Sequence, residues 1–461
     1  MYRNALTDLK DWKNQKNRKP LVLRGARQVG KTWLVRKFAE EDFDHLIEIN
    51  FDDTPEQAKL FVKGEVDRCL QLLEMEHNQD IIPGKTLIFL DEIQAVPEVL
   101  PYLRYFYEKR PDIFVIAAGS LLEFLLSEHD FSMPVGRIEY LHLGPMTIEE
   151  FLLALDQQRL VSFLSGIGPD ESIPESIHQK LIDFLKLFWI VGGMPAAVAA
   201  YRDYKSFQHS NREHGSILQT FEDDFSKYRK RIYPQRIRKV FHRIPALVGK
   251  KLKYVSLDPD ERSKDLADTL DLLEMARVIY RVHHSAGNGV PLGAEMKAKD
   301  FKPLFLDTGL MTQSLGLNLS TLQVVKDLTL VNNGAVAEQF IGQHLLYQNL
   351  SYEKPELYYW NREKKSSSAE VDYLLSIDNK VIPVEVKAGA SGSLKSLQVF
   401  MAEKRVPVAL RFNTMTPSLT ELTVKIQGAL GHPYLFLSLP HYLVCQAKRL
   451  VKEVLGVNRL P

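Results

Sequence analysis

Gly25-Ala26-Arg27-Gln28-Val29-Gly30-Lys31-Thr32 follows the apolar run Leu21-Val22-Leu23 and leads into a helical stretch, Trp33 to Ala39. The pattern is G-x-x-x-x-G-K-T in the order strand, glycine turn, helix. Glycines let the backbone turn sharply and approach an anion with no side chain in the way. The backbone N–H groups from Gly25 through Trp33 and the positive end of the following helix then form a phosphate cradle. Lys31 is placed to reach the β- and γ-phosphates of ATP, and the Thr32 hydroxyl to ligate Mg²⁺. A chance match is the alternative, and a second nucleotide motif downstream argues against it.

That motif is Thr86-Leu87-Ile88-Phe89-Leu90-Asp91-Glu92. A continuous apolar run reads as a buried parallel strand, and ligands of open α/β sheets sit beyond the carboxyl ends of the strands. Asp91 is placed there to hold Mg²⁺ through its water shell. Glu92 is placed to polarise the attacking water as general base. Helix capping by the two acids is the plainer alternative. Ile113 to Gly119 is a further buried strand that ends at Ser120, a candidate γ-phosphate sensor or water-orienting hydroxyl. Leu121-Leu122-Glu123 follow it and also fit a capping box. Gly136-Arg137 precedes a short strand, Glu139 to Leu143. An arginine near a nucleotide site suits transition-state charge, in cis or across a subunit interface; a surface arginine is the alternative. With Leu46 to Phe51 as another strand and a helix over Pro55 to Glu76, residues 1–150 read as a three-layer P-loop ATPase domain with a parallel sheet. A short amphipathic helix, Tyr2 to Lys16, feeds its first strand.

Composition sets outer bounds. The 461 residues imply two to four domains. A net charge of +1 demands neither nucleic acid nor a membrane. Two distant cysteines, Cys69 and Cys445, form no framework and fit a reducing, cytoplasmic setting. No apolar run reaches membrane-spanning length and no apolar signal region is expected at the N-terminus.

Residues 151–203 read as a helical lid or linker, with Gly192-Gly193-Met194-Pro195 as a tight bend between helices. Residues 204–320 hold three helical patterns and then Val278 to Val282 and Pro303 to Asp307 as two strands, an order that fits a winged helix. Lys227, Arg229, Lys230, Arg231, Arg236, Arg238, Lys239, Lys250, Lys251 and Lys253 cluster there. Such a stripe suits DNA phosphates and equally a solvated or inter-domain face.

Residues 325–461 read as an α/β unit. A helix, Ala335 to Tyr347, carries Glu338. Glu370 to Leu375 and Val381 to Lys387 form a hairpin through the turn Asp378-Asn379. Residues two apart in a strand share a face, so Glu385 and Lys387 point together, with Asp372 on the neighbouring strand. Two carboxylates and a lysine on one sheet face are suited to Mg²⁺ and phosphodiester cleavage. Cross-strand ion pairing would give the same pattern.

The order of these motifs resembles the bacterial and archaeal AAA-type ATPases whose C-terminal region is a domain of unknown function with a PD-(D/E)xK nuclease-like core. The elements that carry the resemblance, over nearly the whole chain, are the phosphate loop, Leu90-Asp91-Glu92-Ile93-Gln94, Ala118-Gly119-Ser120, Gly136-Arg137, Gly192-Gly193-Met194-Pro195, Asp307-Thr308-Gly309-Leu310, and Glu370-Val371-Asp372 with Val384-Glu385-Val386-Lys387. It implies a winged helix between the ATPase and a C-terminal restriction-endonuclease-like domain. It also implies a nuclease-like set of Glu338, Asp372, Glu385 and Lys387, with the three acids as metal ligands. Two functions compete. One is an ATP-driven switch that couples nucleotide state to DNA binding or cleavage, with a homo-oligomer as one possible form. The other is a signalling or scaffold ATPase whose C-terminal domain is a non-catalytic interaction module.

Overall fold

The computed structural model describes residues 1–62, 64–119, 134, 136–225, 232–316, 333–364, 367–390, 392–425 and 431–457. The chain forms two compact units. The first contains Met1–Gly144, Met275–Val278 and Asn349–Pro355; the second contains the remainder.

In the first unit, β1 (Leu21–Arg24), β2 (His45–Asn50), β3 (Thr86–Asp91), β4 (Phe114–Gly119) and β5 (Glu139–His142) make a parallel sheet in the order β2-β3-β4-β1-β5. All five strands stand where the apolar runs place them. Alternation sorts the side chains by face. Ile47, Ile49, Ile88, Leu90, Val115 and Ala117 share one core with Leu70, Leu73, Leu103 and Phe106 of the helices Val66–His77 and Tyr102–Lys109. The single helix expected over Pro55 to Glu76 is instead a 3₁₀ turn, Pro55–Leu60, and a separate helix, Val66–His77. Gly64, at φ +80°, lies between them and breaks the run. Two later pieces complete this unit. The Ser351 carbonyl accepts from the His142 N–H of β5 at 2.7 Å, an edge bond supplied from far along the chain.

The second unit carries an eight-stranded mixed sheet. Its strands are β6 (Ile279–Ser285), β7 (Met296–Phe305), β8 (Leu357–Lys364), β9 (Ser367–Ile377), β10 (Lys380–Val386), β11 (Val408–Asn413), β12 (Ser418–Val424) and β13 (His432–Pro440). Their order is β12-β13-β11-β10-β9-β8-β6-β7. β9 and β10 pair antiparallel across Asp378 and Asn379, both left-handed at φ +47° and +59°, the turn expected from that dipeptide. The two strands read as a wing do not stand apart. β6 pairs antiparallel with β7 but also parallel with β8, so both extend the C-terminal sheet. A short apolar strand carries no mark of its partner, and β8 gives β6 the hydrogen bonds that a two-stranded wing would leave to water.

Gly192-Gly193-Met194-Pro195 joins the helices Glu175–Val191 and Pro195–Tyr204, as its glycines and proline suggest. The Gly193 N–H donates to Asp307 Oδ2 at 2.6 Å, and Asp307 Oδ1 caps the helix Thr308–Ser314 through Leu310 N at 3.1 Å. Gly192 sits at φ +68°, and a Cβ there would lie 2.1 Å from Asp307 Oδ1. Two motifs far apart in sequence thus form one buried clasp. Gln343 of the helix Asn333–Leu346 tightens it by accepting from Thr308 N at 2.9 Å.

Candidate functional site

β1 ends at Arg24 and the helix Lys31–Asp42 begins after six intervening residues. The loop between them crosses close to Leu143, where a Cβ on Gly25 would lie 2.4 Å from the carbonyl oxygen. Gln28 and Gly30 hold left-handed backbone at φ +63° and +92°. Arg3 braces the loop from below, donating to the carbonyls of Val29 at 2.8 Å and Gly144 at 2.7 Å. Lys31 is buried, not presented from an exposed loop, and its Nζ donates to the carbonyls of Gly25 at 3.1 Å and Ala26 at 2.9 Å. Burial pushes its pKa down to about 8, against the opposing pull of Glu92 and Asp91; the charges of Arg27 and Arg277 push the same way as burial.

Asp91 ends β3 and is buried. Thr32 Oγ1 donates to its Oδ2 at 2.7 Å and the Glu92 N–H donates to Oδ1 at 3.0 Å. Burial raises the Asp91 pKa, and Thr32 works against the rise. A buried carboxylate beside a hydroxyl, at the mouth of a helix N-terminus, is a hard-oxygen pair that fits Mg²⁺. Glu92 follows in left-handed backbone, φ +49°, and accepts from Gln94 Nε2. Trp33 is exposed on the first turn of the helix. Arg137 is exposed and its Nε lies 2.9 Å from Glu108 Oε1. Ser120 lies outside the described residues, as do Lys227, Arg229, Lys230 and Arg231.

Arg277 belongs to this site and was not legible in the sequence. It is buried in the first unit, in left-handed backbone at φ +57°. Its charge bears on Lys31 and on His142, whose pKa burial drives down to about 3 so that the imidazole stays neutral.

In the second unit Glu338, Asp372, Glu385 and Lys387 do converge. Lys387 Nζ lies 2.5 Å from Glu385 Oε1, and Asp372 Oδ2 accepts from Val386 N at 2.7 Å. Lys302 and Glu370 complete the cluster. Lys302 of β7 lies 3.1 Å from Glu338 Oε2, 2.8 Å from Glu370 Oε1 and 3.7 Å from Asp372 Oδ1. Burial alone would lower the Lys302 pKa, but the three carboxylates outweigh it and hold the ammonium charged. Burial pushes Glu338 up to about 8 and Glu385 up to about 7, each aided by the charge of Asp372. Among the described residues no group of three or more His, Cys, Asp or Glu side chains is arranged to hold a metal ion.

Among the described residues of the basic stripe, four of six stand in ion pairs. Arg236 pairs with Glu261 and Asp265, Arg238 with Glu222, Lys239 with Asp258 and Lys251 with Asp300. Among the described residues no helix is long and apolar enough to cross a membrane.

Residues 17–152 match the family model of an AAA domain. Residues 182–321 and 333–421 match two domains of unknown function, DUF8612 and DUF4143. No curated protein matches the chain. Among solved structures, a Walker-type ATPase of Pyrococcus abyssi is 17% identical over 68% of this chain and 95% of that one, with a TM-score of 0.44. The ORC2 protein of Aeropyrum pernix is 12% identical over 68% and 93%, with a TM-score of 0.36. PCH-2 of C. elegans is 14% identical over 47% and 66%, with a TM-score of 0.27. The phosphate loop, the Thr32–Asp91 pair and the parallel sheet that carries them lie within residues 17–152, the part that is similar to an AAA domain.

Proposed function

We propose that the protein binds and hydrolyses ATP with Mg²⁺ in its first unit and uses the nucleotide state to control its second. The observation that carries this reading is the 2.7 Å contact between Thr32 Oγ1 and Asp91 Oδ2 beside the buried Lys31. Lys31 leaves the loop carbonyls for the β- and γ-phosphates, exchanging two neutral acceptors for charged ones. Thr32 and Asp91 hold Mg²⁺, which when bound neutralises charge on the bridging and terminal phosphate oxygens. Glu92 orients and deprotonates the attacking water. Arg137, exposed and paired with Glu108, would exchange that partner for phosphate on a neighbouring copy in a homo-oligomer. The two free cysteines suit the cytoplasm. The test is Mg²⁺-dependent phosphate release with and without single- and double-stranded DNA. Lys31→Ala abolishes it; unchanged turnover at saturating ATP refutes the assignment.

For the second unit, the meeting of Asp372, Glu385 and Lys387 supports a nuclease-like scaffold that binds DNA. The interaction-module reading draws on a different observation, the ion-paired state of Arg236, Arg238, Lys239 and Lys251. Phosphate contacts release counterions, so a flat salt dependence of DNA retention favours the module.

A further inference from the structure

A divalent cation at the second acid centre needs hard oxygens with free lone pairs and no rival charge among them. The structure fails the second condition. Lys302 is 2% exposed at its side chain, and its ammonium touches Glu338 and Glu370 within 3.1 Å and stands 3.7 Å from Asp372. The ammonium donates to Glu338 and Glu370 and forms a longer ion pair with Asp372. The other oxygen of Asp372 accepts from Val386 N, and Glu385 Oε1 is held by Lys387. Glu385 Oε2 is a buried carboxylate oxygen of this cluster without a hydrogen-bond partner. A cation delivered here would meet a fixed positive charge at contact distance, in a place where water screens little.

Lys302 is also well held. It stands in Phe301-Lys302-Pro303-Leu304-Phe305, an apolar run of β7, opposite Val282 of β6. The Tyr359 ring lies 5.7 Å from its Nζ. The backbone of Phe305, three residues on, makes two hydrogen bonds with the side-chain amide of Gln339 on the Glu338 helix, its N–H donating to Oε1 at 2.9 Å and its carbonyl accepting from Nε2 at 2.7 Å. These contacts fix β7 and that helix together, so the lysine and Glu338 keep their spacing.

We propose that Lys302 is a built-in cation standing where a nuclease-like centre would hold a divalent metal, so that the second unit binds no metal at Asp372 and Glu385 and cuts no phosphodiester. The proposal does not depend on the ATPase reading, which concerns the other unit.

The test uses the full-length, nucleotide-free protein and free Mn²⁺ followed by electron paramagnetic resonance. Wild type and Asp372→Asn bind Mn²⁺ alike. Lys302→Met leaves the carboxylates without their cation and gains a Mn²⁺ site at least about tenfold tighter than any in wild type. Adding Asp372→Asn to Lys302→Met removes the new site. If Lys302→Met does not fold, Lys302→Met with Glu338→Gln, which discards one of the stranded charges, takes its place. A folded Lys302 variant that gains no site overturns the proposal. So does Mn²⁺ binding or Mn²⁺-dependent DNA cleavage by wild type that Asp372→Asn abolishes.

Discussion

Replacing Lys31 by methionine tests how the nucleotide loop is balanced between stability and function. The lysine is 7% exposed, and burial lowers its pKa from an ordinary 10.5 to about 8. That fall corresponds to roughly 3 kcal/mol charged against the nucleotide-free fold while the lysine carries its proton. Methionine keeps the length and removes the charge. It also strands the Gly25 and Ala26 carbonyls, which returns about 1–2 kcal/mol of the gain. The net expectation is a nucleotide-free protein about 1–2 kcal/mol more stable, melting about 2–8 °C higher, and blind to ATP. The pH dependence gives a sharper test. The folded lysine sheds its proton near 8 and the unfolded one near 10.5. Between those values the unfolded chain binds more protons, so wild-type stability rises with pH; below the lower value the full cost is present. Lys31→Met lacks this rise. Calorimetry across that window, with and without ATP, reads both effects. A variant that melts below wild type at neutral pH, or that keeps the wild-type rise between the two pH values, refutes the reasoning.

Glu92→Gln keeps shape and hydrogen bonding but removes the base, so it retains ATP binding and loses about 10²–10⁴-fold in turnover; single-turnover kinetics with radiolabelled ATP measure both. Arg137→Ala lowers turnover with ATP affinity nearly unchanged, and mixing it with Glu92→Gln protein restores part of the rate if the arginine acts in trans. Arg277→Gly relieves a left-handed backbone and removes a cation beside Lys31, so it weakens ATP more than ADP in a fluorescent-nucleotide competition; equal loss for both would assign the arginine to the fold alone. Gly192→Ala drives a methyl into Asp307 and costs about 3 kcal/mol or more, seen as a lower melting temperature by circular dichroism.

The five strands of the first unit were legible because each is a short apolar run ended by its own chemistry, as β3 is by Asp91. The hairpin that brings Asp372 beside Glu385 was legible for a similar reason: Asp378-Asn379 declares the turn, and alternation declares the face. What escaped comes from long range. Arg3, Arg277 and Lys302 act on groups far away in sequence, and a lone cation among apolar residues does not announce its partner. The same gap misled the reading of β6 and β7, whose pattern fits a wing as well as the edge of a larger sheet. The Gly-Gly-Met-Pro and Asp-Thr-Gly-Leu motifs had no assignable role until Asp307 was seen to accept from Gly193 and cap its own helix.

The late arrival of Met275–Val278 and Asn349–Pro355 in the first unit has a consequence for how the protein is made. A ribosome finishes the first 144 residues long before it reaches Ser351. At about 5–20 residues per second, that interval lasts roughly 10–40 s. Throughout it, the His142 N–H on the border of the sheet has no Ser351 carbonyl to meet, and the space filled by Arg277 stands empty. The nascent ATPase domain must therefore wait, incomplete, while the second unit is being translated. A shortened gene that stops after β5 would freeze the chain in that waiting state, whereas supplying the rest as a separate polypeptide would let the border close.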